Sequence, residues 1–220
     1  RTNFVILYIF VSTADIKILI GIISKAHVWL ILLALAAFYV IFIFKSLRWK
    51  FFLFNIGFKE KFGGIAEIYF LGQFVNTLLP ARIGDFYKSY LMMSNFKMLK
   101  SKALGTIFVE RLCDISFIAL FFVVSSIKVF GSVLSPFMIK AIITLLVIVV
   151  AAILVFLAIK RGKLPLQKIL PKKFIIIYKN FQFAVSKSLN LRSLPKIIFL
   201  TFIIWSLEFL IFYFVITSID

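Results

Sequence analysis

The residues best suited to chemistry lie between positions 71 and 114 of a 220-residue chain. Gln73, Asn76 and Thr77 share one helical face, because steps of three and four residues return to the same side. Pro80 ends that helical run by withholding an amide donor, and it is equally suited to open the next one. Arg82, Asp85 and Lys88 follow at steps of three, so a helix here would turn all three toward one cavity. A guanidinium beside an ammonium is the pairing that holds a phosphate, with Asp85 orienting Arg82. A helix N-terminus behind Pro80 would add its own attraction for an anion. The same residues permit a plainer arrangement, in which Arg82 and Asp85 neutralise each other and hold a hairpin shut.

A second cluster stands at Glu110, Arg111 and Asp114. The two acids share a helix face, and Arg111 reaches Asp114 three residues on. Two acids against one base leave a negative charge to be matched, and Arg82 is the expected partner. The cluster then serves as a structural brace between hairpin and helix, as a ligand contact, or as a proton-coupling site. Glu208 is either part of a pathway or the partner of another helix.

Other chemistries find no footing. One His (His27) and one Cys (Cys113) are too few ligands for zinc, and no metal or cofactor is expected. The chain lacks G-x-x-x-x-G-K-[ST], G-x-S-x-G and H-E-x-x-H motifs, so ATP-driven pumping and hydrolytic catalysis have no sequence support. Trp29, Trp49 and Trp205 read as membrane anchors, and Arg48-Trp49-Lys50 as an interfacial clamp.

The elements that must position these residues follow from composition. The chain is 63% hydrophobic and only 15% charged, against about 25% charged in soluble domains, so lipid is its main solvent. The predicted architecture is all-α: one polytopic transmembrane bundle over 1–220. Val28 to Phe44, Ala103 to Ile127, Ala141 to Ile159 and Ile197 to Ile219 each approach the ~20 apolar residues of a span. Residues 1–14 read as a truncated first span, with a signal peptide as the alternative, and the chain as a fragment. Residues 63–93 read differently. Gly63, Gly64, Pro80 and Gly84 are the expected hinges of a re-entrant, broken-helix hairpin that enters and leaves on one side.

The net charge of +18 supports that topology. Its basic residues lie between apolar runs rather than in a nucleic-acid-binding patch, so nucleic acid is not an expected partner. Loops 45–61, 97–102 and 160–196 hold most of them, which predicts a multi-pass cell-membrane protein with these loops cytoplasmic. Within 160–196, Phe174, Ile177, Tyr178, Phe181, Val185 and Leu189 recur at helical spacing opposite Lys179, Gln182, Ser186, Lys187 and Asn190. That pattern predicts an interfacial amphipathic helix on anionic inner-leaflet headgroups, with a solvated loop as the alternative.

The run Gly72…Asn76…Pro80-x-Arg82-x-Gly84-Asp85-x-x-Lys88, followed by Glu110-Arg111-x-x-Asp114, resembles the lysylphosphatidylglycerol synthase transmembrane-region family of flippase-like membrane proteins. Both motifs match that family's G-x-x-x-N-x-x-x-P-x-R-x-G-[DE] and E-R-x-x-D stretches, and the likeness covers about residues 30–220. It implies a protein that handles anionic or modified phospholipids or polyprenyl-phosphate-linked sugars. Some relatives carry a soluble aminoacyl-transfer domain, others a glycosyltransferase domain. These 220 residues contain neither, so the role the family suggests for them is moving or presenting the lipid. In that scheme Arg82 and Lys88 grip phosphate in a cavity open to the inner leaflet, and Gln73 and Asn76 bond the headgroup. Asp85 is a further polar residue of the headgroup cavity that orients Arg82, and Glu110, Arg111 and Asp114 balance charge or couple protons. The competing expectation is a non-catalytic membrane subunit that partners a separate lipid-linked transferase.

Overall fold

The computed structural model of the chain describes residues 26–131, 135–162 and 171–219. The expected first span at 1–14 and part of the basic 160–196 loop lie outside them. The described residues form seven α-helices and no strand. These are α1 (Val28–Asn55), α2 (Phe62–Leu78), α3 (Ile83–Phe96), α4 (Lys100–Phe130), α5 (Pro136–Lys160), α6 (Lys172–Ser188) and α7 (Leu194–Thr217). Helices are the open structures that satisfy their own backbone in hydrocarbon, and the fold is an all-α bundle as predicted. Helices α1, α5 and α7 are long and apolar enough to cross a membrane. Helix α4 matches them in length at 31 residues but is interrupted by Glu110, Arg111 and Asp114, and is not among them.

Two contacts fix the antiparallel run of α1 and α7. The His27 amide donates to the Ser218 carbonyl at 2.8 Å, joining the start of α1 to the end of α7. At the other end the Asn55 side-chain amide donates to Ser188 O and Ser193 Oγ, both at 2.6 Å. Gln182 Nε2 donates to Ile159 O at 2.9 Å, which brings the end of α5 to the same place. There too the Phe58 and Phe96 rings pack edge to face, closing the open ends of α2 and α3 together. The ends of α1, α3 and α5 and the starts of α2, α4 and α7 therefore share one basic end of the bundle.

Helices α2 and α3 form the hairpin, joined by a tight turn over Pro80–Arg82 in which Ala81 (φ 60°) and Arg82 (φ 55°) are left-handed. The turn falls at Pro80, as expected. The other predicted hinges behave differently. Gly63 and Gly64 lie in the first turn of α2, where the Phe96 ring packs on Gly64. Gly84 is helical and serves close approach instead: its Cα sits against the Gly72 carbonyl and the Asn76 side chain. Gly72 in turn leaves room for the Lys88 stem. Absent side chains at 72 and 84 let the two helices touch backbone to backbone.

Helix α6, the expected amphipathic helix, packs part of its apolar face on protein. Tyr178, Ala184 and Val185 are buried, and Gly105 on α4 is the gap that admits Ala184. Phe181 and Leu189 join the core cluster, while Phe174 and Ile177 stay exposed. The apolar stripe therefore packs on α4 around Gly105 and Phe108, while its Phe174 and Ile177 end stays exposed.

The glycine pair yields a direct check. Gly84→Ala forces a methyl into the Gly72 carbonyl and is expected to cost about 1–3 kcal/mol, read as a lowered thermal midpoint in detergent. Gly63→Ala, which meets open space inside a helix, should be neutral or slightly stabilising. Equal midpoints for the two variants would reject the close approach.

Candidate functional site

The centre of the bundle is a layer of six ionised side chains from three helices. Glu110 of α4 is fully buried, with the Arg48 and Lys88 side chains 0% and 1% exposed as residues beside it. Glu110 Oε1 accepts from Tyr69 Oη at 2.7 Å and from Arg48 Nη2 at 3.3 Å, and Oε2 faces Lys88 Nζ at 3.5 Å. Arg48 Nη1 reaches Asp114 Oδ1 at 2.8 Å and donates to Thr201 Oγ1 at 3.0 Å. Lys88 Nζ lies 3.1 Å from Asp85 Oδ1, and Arg111 grips Asp85 through Nε at 3.0 Å and Nη2 at 3.2 Å. Arg111 Nη1 closes the circuit on Asp114 Oδ2 at 3.1 Å. Three acids face three bases, so the layer carries no net charge.

Aromatic groups wall the layer from below and beside. The Lys88 ammonium sits 4.4 Å from the Tyr69 ring centroid and 5.2 Å from that of Trp49, within cation–π range. The Trp49 indole donates to Thr106 Oγ1 at 3.1 Å. Trp49 and Arg48 are thus interior residues, which corrects their reading as a membrane anchor and an interfacial clamp. The missed signal was periodic: Ile41, Lys45, Arg48 and Phe52 follow the inward stripe of α1 at steps of four, three and four.

The layer also corrects the expected partners. Asp85 bonds Arg111 and Lys88, not Arg82, and Arg48 supplies the charge for Glu110 and Asp114 that Arg82 was expected to supply. Lys88 is enclosed by Asp85, Glu110 and two rings, because α3 turns it inward past Gly72. Arg111 and Asp114 pair as predicted.

Beside this layer lies a cavity of about 700 Å³. Gln73 and Asn76 line it from α2, and Arg82 lines it from the hairpin turn. Asn76 Nδ2 also faces Asp85 Oδ1 at 3.4 Å, tying the cavity wall to the ion layer. Thr77 points away, its hydroxyl donating to Gln73 O at 3.1 Å. Lys45 and Glu208, joined at 2.6 Å, close the α1–α7 side. Arg111, Asp114 and Trp205 complete the polar wall. Trp205, expected as a membrane anchor, has a buried Nε1 that meets no acceptor among the described residues. Arg82 likewise forms no ion pair among them, whereas Lys45 and Arg111 each have an acid.

Residue order along each helix locates the cavity. On α4, Glu110 precedes Ile115 and Ile118; on α7, Thr201 precedes Trp205 and Glu208; on α3, Lys88 lies nearer the basic end than Arg82. On α1, Arg48 lies nearer that end than Lys45. The ion layer is therefore the floor of the cavity, between it and the basic end.

Removing one member of a closed buried circuit strands the others. Glu110→Ala leaves Arg48 and Lys88 each short of an acceptor and is expected to cost about 3–5 kcal/mol. Thermal unfolding in detergent checks this, and a double-mutant cycle on Arg48 and Asp114 should return a coupling of about 0.5–3 kcal/mol. A midpoint unmoved by Glu110→Ala would dismiss the layer as a brace.

No solved structure matches this chain. Two membrane proteins of Methanocaldococcus jannaschii resemble it in sequence. UPF0104 membrane protein MJ1078 is 30% identical over 150 residues, covering 67% of this chain and 62% of that protein. UPF0104 membrane protein MJ1595 is 27% identical over 149 residues, covering 66% of this chain and 44% of that protein. The matched region thus spans less than two thirds of either relative. The family described as the lysylphosphatidylglycerol synthase TM region matches residues 3–220. With its helical bundle, its broken hairpin and the E-R-x-x-D stretch at the heart of its ion layer, the chain belongs to the lysylphosphatidylglycerol synthase transmembrane-region family.

Proposed function

We propose that this membrane protein binds the phosphate-bearing headgroup of an anionic lipid in the cavity above the ion layer and assists its transfer across the bilayer. The observation that carries the reading is Arg82. It is the cavity-lining cation with no acid partner among the described residues, so an anion there completes its charge balance. The unpaired Trp205 indole, Gln73 and Asn76 add neutral hydrogen-bonding groups around the same space. A volume of about 700 Å³ suits a headgroup and leaves the chains outside in lipid.

The phosphate ligand in this reading is Arg82 alone, since Lys88 is enclosed by its own acids. With the basic end cytoplasmic, the ion layer stands between the cavity and the cytoplasm, and the cavity then lies toward the outer leaflet, contrary to the inner-leaflet opening expected above. Transfer to the other leaflet then requires that layer to part.

The test is transfer of labelled phosphatidylglycerol in proteoliposomes, with native mass spectrometry of retained lipid. Arg82→Ala should lower transfer and retention about tenfold, the loss of one charge-assisted contact worth ~1.5–3 kcal/mol. Arg82→Lys should restore part of both. Parental transfer by Arg82→Ala would remove the proposed site. Absence of transfer, with co-purification of a lipid-linked transferase, would assign the chain to a partner-subunit role.

A further inference from the structure

A second cavity, of about 450 Å³, lies on the opposite side of α4 from the charged one, between α4, α5 and α7. Its walls are Leu112, Phe117 and Leu120 of α4, Phe156 of α5, and Ile197 and Ile198 of α7, with comparable residues between. The few polar side chains there are Cys113, Ser116 and Thr201. The Thr201 hydroxyl is already committed, donating to Ile197 O at 2.8 Å and accepting from Arg48. Water needs two to four polar partners to occupy a cavity, and this one does not offer them. The partition between the two cavities is a stacked pair: Trp205, which lines the charged side, lies parallel to Phe117, which lines the apolar side, at 17° and 6.4 Å.

The slot has a direction. From Leu194 to Thr201 it follows α7 inward from the basic end for about 10 Å, at 1.5 Å per residue. At that end Leu189 and Leu194 form its lip, and Arg192, exposed, stands in the connector between them. Arg161, also exposed, caps α5 four residues beyond the lining Leu157. An apolar slot whose lining residues Leu157, Leu189 and Leu194 adjoin exposed cations in the chain is complementary to a hydrocarbon chain attached to an anionic headgroup.

We infer that this cavity is a binding site for one acyl chain of an anionic phospholipid, whose phosphate rests against Arg192 and Arg161 at the basic end. The site is separate from the headgroup cavity and does not depend on Arg82. It places a lipid chain against Thr201, on whose hydroxyl Arg48 of the ion layer rests. The lipid is therefore a wedge that supports the floor of the other cavity from behind.

Photo-crosslinking tests the site. The full chain is reconstituted in phosphatidylglycerol vesicles doped with a phosphatidylglycerol carrying a diazirine in one acyl chain, and adducts are mapped by peptide mass spectrometry. They should concentrate in 112–120 and 194–201. Ser116→Phe, which fills the slot, should remove them, as should Ile198→Trp if the first variant fails to fold. Arg192→Ala, or a phosphatidylcholine probe, should lower them about tenfold, the loss of one charge-assisted contact. Arg82→Ala should leave them unchanged, which separates failure of this site from failure of the headgroup reading. Adducts spread evenly along the outer face of α5, or unaltered by a folded slot-filling variant, would overturn the proposal.

Discussion

The bundle is organised by the cost of placing Glu110 where water does not reach it. A bare carboxylate in that position is prohibitive, so every neighbouring element is arranged to answer it. Arg48 comes from α1, Tyr69 from α2 and Lys88 from α3, and each brings a donor to one of its two oxygens. Those cations in turn require acids, which Asp85 and Asp114 provide, and Arg111 links the two. The short approach of α2 and α3 at Gly72 and Gly84 exists in the same service, because Lys88 has to pass between them.

That requirement also explains why the cavity is charged without being highly charged. Its floor is neutral, and its α1–α7 wall is held by the internally balanced Lys45–Glu208 pair. Among the described residues the cavity's other cations, Lys45 and Arg111, each meet an acid, and Arg82 does not. Arg82 is presented by a turn with two successive left-handed residues other than glycine, a conformation that costs of order 1–3 kcal/mol each and persists where the surroundings enforce it.

Much of this was legible in the sequence, though unevenly. Helix-length apolar runs gave the bundle, and Pro80 between two polar helical faces gave the hairpin and its turn. Spacing put Gln73, Asn76 and Thr77 on one helical face, but it did not show that only the first two would line the cavity. Pairing across helices was not legible. Arg48 precedes Glu110 by 62 positions, and local spacing carries no information about which helix will lie opposite. Arg48 and Trp49 were misassigned because a Lys/Arg/Trp cluster at the end of an apolar run usually marks a membrane boundary. Here α1 continues to Asn55, and its inward stripe runs through both the cluster and the core. The glycines misled in a similar way: Gly64 and Gly84 make room inside helices, where hinges had been expected.

The order in which the ion layer is completed bears on how the protein enters a membrane during synthesis. Arg48 and Lys88 emerge from the ribosome well before Glu110, Arg111 and Asp114. A helix carrying three ionised groups faces an insertion penalty of about 2.5–3.5 kcal/mol for each. Helix α4 is therefore poorly equipped to partition into the bilayer alone. Its charges are matched by Arg48 on α1 and by Asp85 and Lys88 on α3, so packing against those earlier helices offsets a cost that lipid alone would not.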